Sequence, residues 1–211
     1  TTAWYLPLSA KIETDRWLFK LTVPWINTTG PSDVVGSGAD RVSLASEAGN
    51  TQTEKGVGDV TTTLGYILYD ANDWLLDITG KIKWPTADET KALGTGEKDY
   101  TTEISLARQW GRLSTYLSAG KKFMGDLPDA PFLNPITAGL GTSFAMNSSN
   151  SMGVSYDWRG PVVVNGAQVS EVTGFVSHKF DTHWKLMGYV VKGFADASPA
   201  YGAGGVVSYR F

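Results

Sequence analysis

The chain contains no cysteine and only two histidines, His178 and His183. The first absence excludes a disulfide framework and thiolate metal sites. The second leaves two side chains able to serve as bases near neutral pH. No stretch approaches the roughly 18 to 20 consecutive apolar residues of a membrane helix, since runs such as "WLFKLTVPWI" carry a charge within them. Neither sign of charge dominates: charged residues make up 18% and nearly cancel to −3, so no basic field favours nucleic acid or an anionic membrane surface. Nucleic acid is not an expected partner. Helical periodicity is nearly absent, and "TTAWYLPLS" at the start lacks the basic and apolar regions of a signal peptide, so a mature form or a fragment is expected.

What is present is apolar surface spread thinly: 42% hydrophobic residues, 12% aromatic, with 24 Gly and 8 Trp, in a length within reach of one all-β domain, 1–211. Alternation at period two recurs along almost the whole chain, predicting eleven strands. They cover roughly 2–13, 17–28, 57–70, 73–86, 99–110, 112–124, 134–145, 148–158, 168–180, 183–195 and 199–211. Short turns ("TDR" at Thr14, "DAND" at Asp70, "QWG" at Gln109, "AMNSS" at Ala145, "DTH" at Asp181) alternate with longer connections. The longest is a loop over about 30–56. Short turns at one end and long loops at the other are the pattern of outer-membrane barrels, and strands of this length exceed the usual five or six residues and suit a tilted membrane crossing.

The tryptophans give an independent test. Trp17, Trp74, Trp110 and Trp184 lie by the short turns, and Trp4, Trp25, Trp84 and Trp158 near the opposite strand ends. At ~3.3 Å per residue and ~45° tilt, the spacings from Trp17 to Trp25 and from Trp74 to Trp84 rise about 19 to 23 Å, close to the ~25 Å apolar band of a membrane barrel. In "WLLDITGKIKW" the set Trp74, Leu76, Ile78, Gly80, Ile82, Trp84 is outward against Leu75, Asp77, Thr79, Lys81, Lys83 inward. A soluble sandwich would put its largest rings at the centre of the apolar face and not at its ends. The expected fold is therefore all-β, a transmembrane antiparallel up-and-down β-barrel in the bacterial outer membrane. The ending "GGVVSYRF" places Tyr201, Val207, Tyr209 and Phe211 on one face. It resembles the C-terminal signal read by the barrel-assembly machinery, with Tyr209 and Phe211 as its expected carriers.

Eleven strands are an odd number, whereas bacterial single-chain barrels have even counts. About twelve are expected, one of them preceding Thr1; the alternative is an extra pairing segment inside the long loop near "RVSLAS" at Arg41. The alternation assigns to the pore wall Lys11, Glu13, Lys20, Asp59, Asp77, Lys81, Lys83, Glu103, Tyr116, Lys122, Asp157, Glu171, Phe175, Lys179, Lys185 and Arg210. Both signs occur in similar numbers, which predicts weak charge selectivity. Gly139, Gly141, Ser143, Gly153, Ser155, Gly202 and Gly204 are inward and small, and are expected to leave room on one side of the lumen. The loop from Gly30 is long enough to fold inward. Asp59 in "GVGD" reads either as part of a solute entrance or as turn chemistry at a strand start.

A barrel enzyme acting on lipids would need a nucleophile and a base on one face near a rim. His178 is expected outward with Ser177 on the other face, and His183 sits in a short turn. No cluster has metal-ligand spacing, so no catalysis, metal or cofactor is expected.

Several stretches carry a more specific resemblance: "LPLSAKIETDRWLFKLTVPWI", "GVGDVTTTLGY", "KWPTADETKALGTGEKDYTTEI", "KKFMGD" and the barrel-type ending, over about half the chain. Together they resemble a family of outer-membrane channels named for the meta-cleavage pathway of phenol degradation. That resemblance implies a channel for small hydrophobic or aromatic solutes, and the expected function is passive diffusion through a monomer in the lipid bilayer. The resemblance also implies a strand upstream of the first matching stretch. The alternative is a general small-solute pore without hydrophobic preference.

Overall fold

The computed structural model describes residues 2–31, 34–35, 42–43, 51–125 and 132–211. Its strands are β1 (Thr2–Glu13), β2 (Trp17–Pro31), β3 (Val34–Val35), β4 (Val42–Ser43), β5 (Thr51–Val57), β6 (Val60–Ala71), β7 (Trp74–Trp84), β8 (Asp99–Trp110), β9 (Leu113–Phe123), β10 (Ile136–Ala145), β11 (Asn150–Arg159), β12 (Val169–Lys179), β13 (Trp184–Gly193) and β14 (Gly202–Tyr209). One 3-10 turn, Glu89–Lys91, interrupts the connection from β7 to β8. The main sheet has twelve strands, all paired antiparallel, in the order β1-β2-β6-β7-β8-β9-β10-β11-β12-β13-β14, with β5 joined to β2 beside that path. Apart from β3, β4 and β5 in the long connection, each strand lies next to the one before it along the chain, which is the up-and-down topology.

Local chemistry explains the short ends. Asn72 and Asp73 both have positive φ, 53° and 65°, the pair of left-handed residues that a two-residue hairpin turn requires to match strand twist. At the last short turn Asp181 Oδ1 accepts the backbone N–H of His183 and of Trp184, both at 2.7 Å. An aspartate in that position builds the turn with its own side chain.

The long loop differs from expectation. β2 continues to Pro31, and β5 pairs with its upper part from Trp25↔Val57 to Pro31↔Thr51. The connection therefore spans 32–50. The end of the expected strand at Thr28 and the loop flank "TQTEKG" are polar, but threonines suit a strand, and the ladder satisfies their backbone groups above the apolar band. The pairing segment added to the main sheet is β5 and not the stretch near Arg41; Val42–Ser43 pairs instead with Val34–Val35 in a separate two-stranded sheet. An inward fold of the rest of this loop, and a strand preceding Thr1, lie outside the described residues. Among those residues β1 pairs only with β2, and β14 only with β13.

Burial is inverted relative to a water-soluble protein. The buried hydrophobic residues, Ile26, Leu93, Met124, Phe132, Val162 and Val169, all sit at the long-loop end. Along the strands, Leu8, Phe19, Ile104, Leu117, Leu140 and Val207 are exposed. Such a band is stable only against hydrocarbon.

Candidate functional site: the inner wall and its mouth

Antiparallel partners share a face, so the register sorts every strand residue to one side. The pairs Leu8↔Val23, Phe19↔Leu64, Ile78↔Ile104, Leu106↔Leu117, Leu117↔Leu140 and Leu186↔Val207 form the outer surface. The tryptophans cap it. Trp17 packs on Tyr66 at 4.6 Å and Trp184 on Tyr209 at 4.8 Å, while Arg108 lies over both Trp74 and Trp110, at 4.7 and 5.0 Å. At the other rim Trp84 donates to Thr62 Oγ1 and Trp158 to Gln168 Oε1, beside the exposed Trp4 and Trp25. Amphipathic rings with satisfied N–H groups suit a membrane interface.

The inner face carries Lys11↔Lys20, Asp77↔Ser105, Thr79↔Glu103, Lys81↔Thr101, Thr101↔Lys122, Ala107↔Tyr116, Asp157↔Glu171, Phe175↔Tyr189 and Lys179↔Lys185. Lys83↔Asp99 belongs to the same face, and Glu13, opposite Leu18, binds Lys11 Nζ at 2.9 Å. Ser208 opposes Lys185, so Arg210, two residues on, continues that face beyond the end of β14. Between the charges runs a lining of hydroxyls, including Ser9 with Thr22 and Ser151 with Ser177, each pair at 2.8 Å.

The inward glycines do not leave the room their size implies. Tyr116 lies where a side chain on Gly141 would stand, Phe175 covers Gly153, and Tyr189 covers Gly204. Three rings are thus laid on the wall of β10, β11 and β14. Tyr189 carries no signal apart from its alternation with Lys185 and Met187, and its role appears only once the register puts it opposite Gly204.

At the long-loop end the inner face closes on an ion network. Lys83 Nζ lies 3.3 Å from Asp59 Oδ2, 3.1 Å from Asp99 Oδ2 and 3.0 Å from Thr95 Oγ1, and Lys122 Nζ lies 3.0 Å from the same Asp99 oxygen. All four charged side chains are at least nine-tenths buried. The other Asp59 oxygen accepts the N–H of Thr86 and of Ala87, and Asp99 Oδ1 that of Gly125. Asp59 therefore does not make a local turn with its side chain but ties the start of β6 to the β7–β8 connection on the inner face. Asp99 and Thr95 lie in the stretch "KWPTADETKALGTGEKDYTTEI" but are not singled out there, although Asp99 alternates with Thr101 and Glu103 on the inward parity. Beside this network Phe132, Met124 and Val162 pack together, joining the β9–β10 and β11–β12 connections.

No family model matches the chain, and no curated protein matches it in sequence. Among solved structures, the COG4313 outer membrane channel from Pseudomonas putida F1 superposes with a TM-score of 0.69 at 15% identity, covering 95% of this chain and 79% of that one. The KdgM porin superposes with a TM-score of 0.61 at 12% identity, covering 99% of this chain and 92% of that one. The fold is that of an outer-membrane channel barrel.

In this barrel the two histidines take different places. His178 is on the outer face, hydrogen-bonded to Asn150 Oδ1 at 2.8 Å and edge-on to Phe180, while Ser177 is turned inward. His183 stacks on Tyr209 in the last short turn, beside Thr182 and Asp181. Both structural relatives are a channel and a porin, not enzymes. The terminal rings form a ladder on the outer face: Trp184 meets Tyr209, and Tyr209 meets Phe211 edge-on at 5.1 Å. In the same turn, outside the membrane band, the backbone N–H groups of Trp184 and His183 hold the Asp181 carboxyl below the usual carboxylate range.

Proposed function

We propose that this protein is a monomeric bacterial outer-membrane channel for passive diffusion of small hydrophobic or aromatic solutes, acting without catalysis or cofactor. The observation that carries the reading is the opposition of the two faces: an exposed apolar band between aromatic girdles, backed by an inner wall of charges, hydroxyls and rings. The lipid bilayer is its solvent, and the barrel-assembly machinery its partner during biogenesis, through Tyr209 and Phe211. The hydrophobic preference is supported by Tyr116, Phe175 and Tyr189. Rings resting on glycines reach the lumen with little conformational freedom left to lose, so an aromatic solute can stack on them at small entropic cost.

A second reading, a general small-solute pore, is favoured by the density of charge on the same wall, with Lys20, Lys81, Asp77 and Glu103 inward on β2, β7 and β8. Single-channel current in planar bilayers separates the two when benzyl alcohol and cyclohexylmethanol are compared as blockers. The aromatic reading expects stronger block by benzyl alcohol, lost in the Tyr116→Leu/Phe175→Leu/Tyr189→Leu variant. Equal block by both alcohols would leave the general pore.

A further inference from the structure

The connection from β7 to β8, residues 85–98, behaves unlike a surface loop. Its polar sequence, "PTADETKALGTGEK", suits water, yet Leu93 at its centre is only 2% exposed and Gly94 and Thr95 are buried with it. Leu93 rests on β5, where a Cβ on Gly56 would stand 2.8 Å from Leu93 Cδ1. Gly94 lies against Asp59, where a Cβ would meet either carboxylate oxygen at 2.8 Å. The buried part of the connection, residues 93–95, is therefore on the inner side of the mouth. Lys83 is the group that ties it there. Its ammonium has three protons to give and three acceptors within 3.3 Å: Asp59 at the start of β6, Asp99 at the start of β8, and Thr95 in the connection itself. Lys122 balances the second aspartate, so two cations and two anions cancel and residues 93–95 are held without net charge.

We propose that residues 85–98 form the constriction of the outer mouth, setting the size of solute admitted, with Lys83 as the positioning residue that fixes it. This rests on the channel reading. It makes this short connection an element that limits passage. Removing the Lys83 ammonium leaves Asp59 and Asp99 with one cation between them and Thr95 without its donor, so residues 93–95 are released.

The absence of cysteine makes the test direct. Leu93→Cys provides one thiol whose reaction with an external maleimide reads the position of residues 93–95 without any need for conduction. In an otherwise unchanged chain it should be protected, and Lys83→Met should expose it. The same Lys83→Met change in the parent chain should raise single-channel conductance severalfold and extend liposome-swelling permeability from arabinose to raffinose. Lys83→Arg should restore most of the cutoff. Thr95→Val, which keeps every ion pair, should give a smaller shift in the same direction and covers the case in which Lys83→Met does not fold. Increased labelling with conductance and cutoff unchanged would overturn the constriction, as would a thiol already reactive beside Lys83. Silence in every variant despite increased labelling would count against the channel reading itself.

Discussion

A Cβ added to Gly153 would stand 2.5 Å from Phe175 Cζ and 2.5 Å from Thr142 O. One of those neighbours is backbone and cannot yield. Gly153→Val is therefore expected to destabilise the barrel by about 1–3 kcal/mol, the usual cost of overpacking, read as a lower urea midpoint for refolded protein in lipid vesicles. Gly188, with nothing within 4 Å of its added Cβ, should accept alanine with little change. At the last short turn the Asp181 carboxyl is held below its ordinary value by two backbone donors. A depressed folded-state pKa adds stability above the unfolded value, about 3.9 for aspartate, which is lost as pH falls through the folded one. The Asp181→Asn variant should therefore match the parent at low pH, fall behind it as pH rises through the depressed folded value, and show the full gap from about pH 5 upward, as seen in the heat-modified gel shift. At this scale the sequence shows parity well and contacts poorly. Alternation places Lys83 and Asp59 inward, yet nothing in it brings them together with Thr95, because that contact is made by a loop.

The strands themselves were the legible elements. β1 and β8 keep the spans expected from alternation, and most others differ by a residue or two at each end. Period-two burial is a strong local signal when one face meets lipid. The last three residues of β2, 29–31, and the whole of β5 were not legible, because above the apolar band "TGP" and "TQTEKG" carry no apolar alternation. The same reasoning sets a test for the outer surface. Leu117, 58% exposed and paired on both sides with leucines, lies mid-strand on the apolar band. Leu117→Arg should cost about 2–4 kcal/mol in vesicle refolding. Ser105→Arg, one strand away but inward beside Ser118, should cost much less and reduce conductance.

For the whole molecule, charges of both signs on one wall predict weak ion selectivity. Lys11, Lys20 and Lys81 stand on β1, β2 and β7, and Glu103, Asp157 and Glu171 on β8, β11 and β12. Reversal potentials in a potassium chloride gradient should therefore stay close to zero. A strong cation or anion preference would mean that one of these sets is neutralised.

The two margins of the sheet have a further consequence. β1 and β14 form the two margins of the sheet among the described residues, and β1 is exposed along its whole length. Both strands run from the long-loop end to the short-turn end. Direct contact between them would make one parallel junction in an otherwise antiparallel wall, with slanted and slightly weaker bonds. Under deuterium exchange the labels should therefore enter at these two margins first and reach β8 and β9 last. The strip opposite the β8–β9 hairpin would then be the part of the wall that opens most readily to the side.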